Sequence, residues 1–146
     1  MRTNKKIIDE LKRLSSENDD ILTPQIVINS ARSKDSILHD QFEWDDTAAA
    51  KKYRIVQARE LLQVTVEYVR DSKGNKKQIR VFASLKSDRI DGGYRTMVDI
   101  FSDKEYRKQL LQDALDDLET FKRKYFELKE FAIIFDAINK IKNKAA

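Results

Sequence analysis

Between His39 and Asp46 the sequence reads HDQFEWDD, which gathers the chain's one His and one Trp with four carboxylates, Asp40, Glu43, Asp45 and Asp46. Imidazole and carboxylates are the groups that hold divalent cations and move protons. On a helix Asp40, Glu43 and Asp46 would share a face at spacings of three. Metal-dependent hydrolysis asks for more: the sequence has no HExxH or DxD…E pattern, and one His with no Cys cannot complete a zinc set. A plainer account is that the stretch starts a helix. Asp45 or Asp46 then caps the Ala-rich run that follows, the acidic pair complements the helix dipole, and Phe42 and Trp44 drop into the core beside a hydrogen-bonded His39. The two accounts part on the indole: buried, it is an anchor, and exposed, it makes His39 and Trp44 a partner-binding pair.

Other chemistries fail on composition. No Gly-x-Ser-x-Gly elbow surrounds a Ser, and three Gly, two of them adjacent at Gly92 and Gly93, cannot assemble a phosphate-cradling loop. No catalytic residue, metal site or cofactor is therefore assigned, and a non-enzymatic protein is expected. The absence of Cys removes disulfides and thiolate chemistry. The start, MRTNKKIIDELKRL, alternates charge with single apolar residues and fits neither a signal peptide nor a membrane span, so a cytoplasmic location is expected.

Charged residues make up 37% of the chain, yet the net charge is only +4, so any basic surface must be local. One such place exists. Arg70, Lys73, Lys76, Lys77 and Arg80 fall within eleven residues, opposed there by Asp71 alone. They flank a turn between two alternating runs, QVTVEYVR and QIRVFASLK, so the cations would sit at the tip of a β-hairpin that can reach phosphates. The plain alternative is that Lys and Arg keep an exposed strand edge soluble. Lys51, Lys52, Arg54 and Arg59 offer a second basic surface, and TPQIVINSAR followed by SILHDQF gives a loose helix-turn-helix outline without the usual turn Gly. Tyr53, Ile55, Val56, Ala58, Leu61 and Leu62 on the same run are expected in the core.

The elements that position these residues follow from punctuation and period. Ile7, Ile8, Leu11 and Leu14 have helical spacing, broken by SSENDD. Thr23 and Pro24 start a second helix to about Arg32, with Leu22 stapled on Val27. A two-residue Gly74-Asn75 turn would set Tyr68 opposite Val81, Val66 opposite Ala83 and Val64 opposite Leu85, whereas a three-residue loop would mix apolar with polar faces. The run YRTMVDIF reads as a third strand. Ser102 and Glu105 form a capping box, after which no Gly or Pro interrupts the chain to about Lys142. A forty-residue helix would span roughly 60 Å, far beyond a compact domain of this size. Leu111, Leu118, Phe121, Tyr125, Leu128, Phe131 and Phe135 line its apolar stripe, so it is expected to overhang and self-associate, the alternative being that it folds back on its own domain.

Residues Leu22 to Gln63 also resemble a family of small, functionally uncharacterised proteins of tailed phages and prophages. The likeness rests on Thr23 and Pro24, Ala31 and Arg32, Leu38 and His39, Phe42 to Asp46, Ala48 and Ala49, Tyr53 and Arg54, and Gln57 to Arg59. The later hairpin and the YRKQLLQDALDDLETFKRKYFEL helix look similar to the rest of that family. The resemblance implies no reaction or ligand. It implies a setting, a phage gene product in the bacterial cytoplasm, where such proteins commonly bind DNA or host proteins.

The expectation is a single α+β domain over residues 1–146. It has short N-terminal helices (1–62), an antiparallel hairpin or three-stranded sheet (63–101) and a long helix (102–143) that mediates homo-oligomerisation. Two functions are open. One is nucleic-acid contact through the basic hairpin, and the other is an inhibitor or adaptor of a host or phage protein, including an antagonist of host defence.

Overall fold

The computed structural model describes residues 5–145, and the fold is α+β. By its internal packing the chain divides into two compact units, Met1–Asp103 and Lys104–Ala146.

The first unit is built on three helices. In α1 (Lys5–Glu17) Ile7, Ile8, Leu11 and Leu14 point inward, and the helix runs one turn past the expected end at Leu14. Asn18 Nδ2 donates to the Leu14 carbonyl (2.8 Å), and Asp19 and Asp20 take left-handed φ values of 56° and 60° to turn the chain. Thr23 then caps α2 (Pro24–Ala31), its hydroxyl accepting from Ile26 N at 3.3 Å, with Leu22 and Val27 fully buried. The expected helical turn at SILHDQF is a short 3-10 helix, His39–Gln41. It is too brief for a recognition helix, so the helix-turn-helix outline fails.

The Ala-rich helix α3 (Ala48–Val64) is capped by Thr47, whose Oγ1 accepts from Ala50 N at 3.1 Å; neither Asp45 nor Asp46 is the cap. Asp45 acts one step earlier, accepting from Thr47 N at 3.1 Å. Ala58, Leu61 and Leu62 are buried as expected and Ile55 is partly buried, but Tyr53 and Val56 lie exposed. The core joins these side chains to Leu38, Phe42, Val81, Phe82 and Tyr94. Each such fully buried side chain contributes about 1.5–3 kcal/mol relative to exposure.

Two small antiparallel sheets complete the unit. β1 (Val66–Arg70) pairs with β2 (Lys76–Arg80), and β3 (Phe82–Ala83) with β4 (Arg95–Thr96). The third strand expected at Tyr94–Phe101 stops after Thr96. Thr96 Oγ1 accepts from Asp99 N (3.2 Å) and caps α4 (Met97–Ser102), while Met97 N donates to the Val81 carbonyl at 2.8 Å. A capping Thr thus overrides the β-branched run. Ser102 is the last residue of that helix, its hydroxyl donating to the Val98 carbonyl at 2.7 Å.

In the second unit the expected 102–143 helix is two helices, α5 (Lys104–Tyr125) and α6 (Ala132–Ala145). They are joined through Leu128, in extended geometry, and a 3-10 turn at Lys129–Phe131. No Gly or Pro marks the break. Its cause is aromatic: Phe121, Tyr125, Phe131 and Phe135 meet around the turn at centroid separations of 4.9–6.4 Å. A straight helix would hold Phe121 and Phe135 more than three turns apart. Lys142 Nζ to Glu119 Oε1 (3.0 Å) and Lys122 Nζ to Asn139 Oδ1 (3.3 Å) tie the two helices farther along. Of the expected oligomerisation residues, Phe121, Tyr125, Phe131 and Phe135 therefore serve this turn, while Leu118 is half-buried and Leu111 and Leu128 remain exposed.

Candidate nucleic-acid interface

The basic hairpin forms, in the register that sequence reasoning disfavoured. Val66 pairs with Arg80, Tyr68 with Gln78 and Arg70 with Lys76, closing a three-residue loop of Ser72, Lys73 and Gly74 in place of the two-residue Gly74-Asn75 turn. The loop explains the choice. Gly74 N donates to the Asp71 carbonyl (2.9 Å) and Gly74 sits at φ +80°, a type I turn followed by a left-handed residue. Asp71 Oδ1 accepts from Lys73 N and from Asn75 N, both at 2.9 Å. The Asn75 amide above all, with help from Lys73 N and the Lys77 ammonium, holds this carboxyl below the usual Asp range. The sequence signal was present in the Asp three residues before the Gly.

That register sorts the side chains. Paired residues share a face, so Val66, Tyr68 and Arg70 lie beside Lys76, Gln78 and Arg80, and this face carries no carboxylate. Glu67 belongs to the opposite face, where it meets Lys12 of α1, and Asp71 is turned into the loop with Lys77 Nζ at 3.6 Å. Of the five predicted cations, Arg70, Lys76 and Arg80 come together around Tyr68, Lys73 stands at the tip, and Lys77 faces away. The expected register would have put Arg70 on one face and Lys76 and Arg80 on the other.

Position follows from the base of the ribbon. α3 runs almost directly into β1 through buried Thr65, whose Oγ1 donates to the Leu61 carbonyl, and Val81 N donates to the Thr65 carbonyl at 3.2 Å. Beyond this clamp β2 is exposed throughout and β1 increasingly so. Tyr68 is 62% exposed, with Lys76 Nζ 4.3 Å from its ring centroid, and Arg70 Nη1 donates to the Gly74 carbonyl at 2.9 Å. Neither Tyr68, expected on the strand's apolar face, nor Gln78 was among the expected nucleic-acid-binding residues.

The HDQFEWDD stretch is accounted for internally. The indole of Trp44 is half-buried against the core and stacks on His39 with centroids 5.0 Å apart and planes 9° from parallel. Its Nε1 donates to the His39 carbonyl (2.9 Å), and His39 Nδ1 lies 2.9 Å from the Ala31 carbonyl, which makes Nδ1 the protonated nitrogen. Arg54, expected on a basic surface, is 3% exposed instead. Its Nη1 donates to the Glu43 and Asp45 carbonyls, each at 2.8 Å, and its guanidinium lies 5.3 Å from the indole centroid. These contacts fasten the loop before α3 to the helix itself, as an anchor would. Among the described residues no three His, Asp or Glu side chains are placed to hold a metal ion, so Asp40, Glu43 and Asp46 do not form a cation site. No helix among them is long and apolar enough to cross a membrane.

Comparison with protein-family models, with curated proteins and with solved structures gives no match to this chain.

Proposed function

We propose that the chain is a non-enzymatic nucleic-acid-binding protein, a phage or prophage accessory protein of the bacterial cytoplasm, that grips phosphates with the β1–β2 ribbon. The observation that carries this reading is the face of Arg70, Lys76 and Arg80 around Tyr68, free of carboxylates in a chain that is otherwise nearly charge-balanced. With Lys73 at the tip, four cations can reach phosphates. Counterion release then predicts a slope of log affinity against log salt of about −3 to −4, a roughly sixty- to 250-fold loss between about 50 and 200 mM salt. Anisotropy titrations of labelled oligonucleotides read this directly. Lys73→Ala and Lys76→Ala should each flatten the slope by about one. Absence of salt-sensitive binding to both single- and double-stranded DNA and RNA overturns the reading.

A second reading is favoured by one feature of the second unit. Ile133, 82% exposed, stands with Ile134 and Ile141 on α6, in a 43-residue unit where only Leu115, Phe135 and Ile138 are buried among the described residues. Units so small seldom hide enough apolar surface alone. A second copy of the chain on α6 would make the protein a homo-oligomer, and a host or phage protein there would make it an inhibitor or adaptor, including a host-defence antagonist.

A further inference from the structure

We infer that the ribbon is built for single-stranded nucleic acid, with one base stacked on Tyr68 and its edge read by Gln78. This rests on the nucleic-acid reading and names its substrate class. The face has a neutral centre and charged ends: Tyr68 and Gln78 are directly opposite each other, Arg70 and Lys76 pair on the tip side, and Arg80 pairs with Val66 on the base side. Two residues along a strand is about 7 Å, so the cations bracket the ring on both sides at the reach of neighbouring phosphates. A Gln amide offers both donor and acceptor to a base edge.

Tyr68 decides between single strand and duplex. Its ring is largely open to solvent, and the Lys76 ammonium lies over it, a contact of the kind a base can replace or sandwich. Duplex bases are stacked on each other and present edges, never ring faces, so an aromatic platform has nothing to stack on. A ribbon entering a duplex groove would also turn this face to the base edges, directing its cations away from the phosphates they should neutralise. On a single strand the same face meets unstacked bases at its centre and backbone at both ends. That is the combination by which sequence-tolerant single-strand binders work.

The test uses the full chain and three short labelled oligonucleotides of one sequence: single-stranded, duplex, and single-stranded with abasic positions that keep every phosphate. The expected result is tighter binding to the single strand than to the duplex, and a roughly ten-fold or greater loss both on the abasic strand and on Tyr68→Ala. Tyr68→Phe should retain binding, because stacking needs the ring and not the hydroxyl. Tyr68→Ala should bind normal and abasic strands alike, with the salt slope unchanged, and circular dichroism confirms that it folds. Equal affinity of the unaltered protein for normal and abasic strands, or preference for the duplex, overturns the inference while leaving phosphate contact intact. Failure to bind any of the three overturns the nucleic-acid reading itself.

Discussion

Replacing Arg54 by Met tests whether the HDQFEWDD stretch is an anchor. The substitution keeps an unbranched apolar stem to fill the space of the Arg methylenes and removes the charge and all donors. Two hydrogen bonds from a charged group, to the Glu43 and Asp45 carbonyls at 2.8 Å each, are lost. Such bonds contribute about 1.5–3 kcal/mol apiece. Both acceptors belong to exposed residues and will regain water, so the lower end applies to each. The guanidinium over the indole, 5.3 Å from the centroid, adds about 0.5–1 kcal/mol. The expected loss is therefore about 3–4 kcal/mol, a large share of the roughly 5–15 kcal/mol typical of a domain. At about 4–8 °C per kcal/mol for a unit of this size, the melting temperature falls by well over roughly 10 °C. Trp44 is the chain's one Trp, so urea titration followed by its fluorescence reports this unit alone. Arg54→Lys, with a charge but a shorter reach, should fall between. A loss below about 1 kcal/mol, with emission unchanged in the folded state, would refute the anchoring account and return Trp44 and His39 to the list of recognition residues.

Two further outcomes follow from the geometry. Because the amides of Asn75 and Lys73 hold the Asp71 carboxyl low, its stabilisation of the loop is complete above the ordinary Asp range near about 3.9 and is lost only as pH falls through the lowered value. The Asn75 amide resonance should therefore titrate below that range, and a midpoint at or above it contradicts the loop geometry. If α6 is covered by a second copy, sedimentation should find an oligomer that Ile133→Glu with Ile141→Glu converts to monomer at unchanged helicity; a wild-type monomer at every concentration removes self-association.

Much of the first unit was legible because its signals are local. Thr23, Pro24 and Leu22 mark one helix start within three residues, and Ile7, Ile8, Leu11 and Leu14 mark a buried face by spacing alone. The hairpin was legible and its register was not, since the apolar alternation of Val64, Val66 and Tyr68 argued for a buried face that the ribbon does not have. The type I loop set by Asp71 and Gly74 outweighed that pattern. The break after Tyr125 had no breaker to announce it, because its cause is contact between rings up to fourteen residues apart in sequence, Phe121 and Phe135. Arg54 misled for a similar reason. A charge on an otherwise exposed helix run reads as surface unless the carbonyls awaiting it, eleven and nine residues earlier, are known.

The continuity of one short stretch of backbone, from Lys76 through the bend at Val81 to Ala83, makes the ribbon a graded rather than an all-or-none element. Its outer amides, in β2, belong to a two-stranded ladder open to water on both faces, whereas Val81, Phe82 and Ala83 are buried in the unit's interior. Opening should therefore need little energy at Lys76 and close to full unfolding at Phe82. Hydrogen exchange along these eight residues would trace that slope. A ligand seated on the outer face would slow exchange where it is fastest and leave the inner end unchanged, so occupancy could be read from one strand without knowing the ligand's identity.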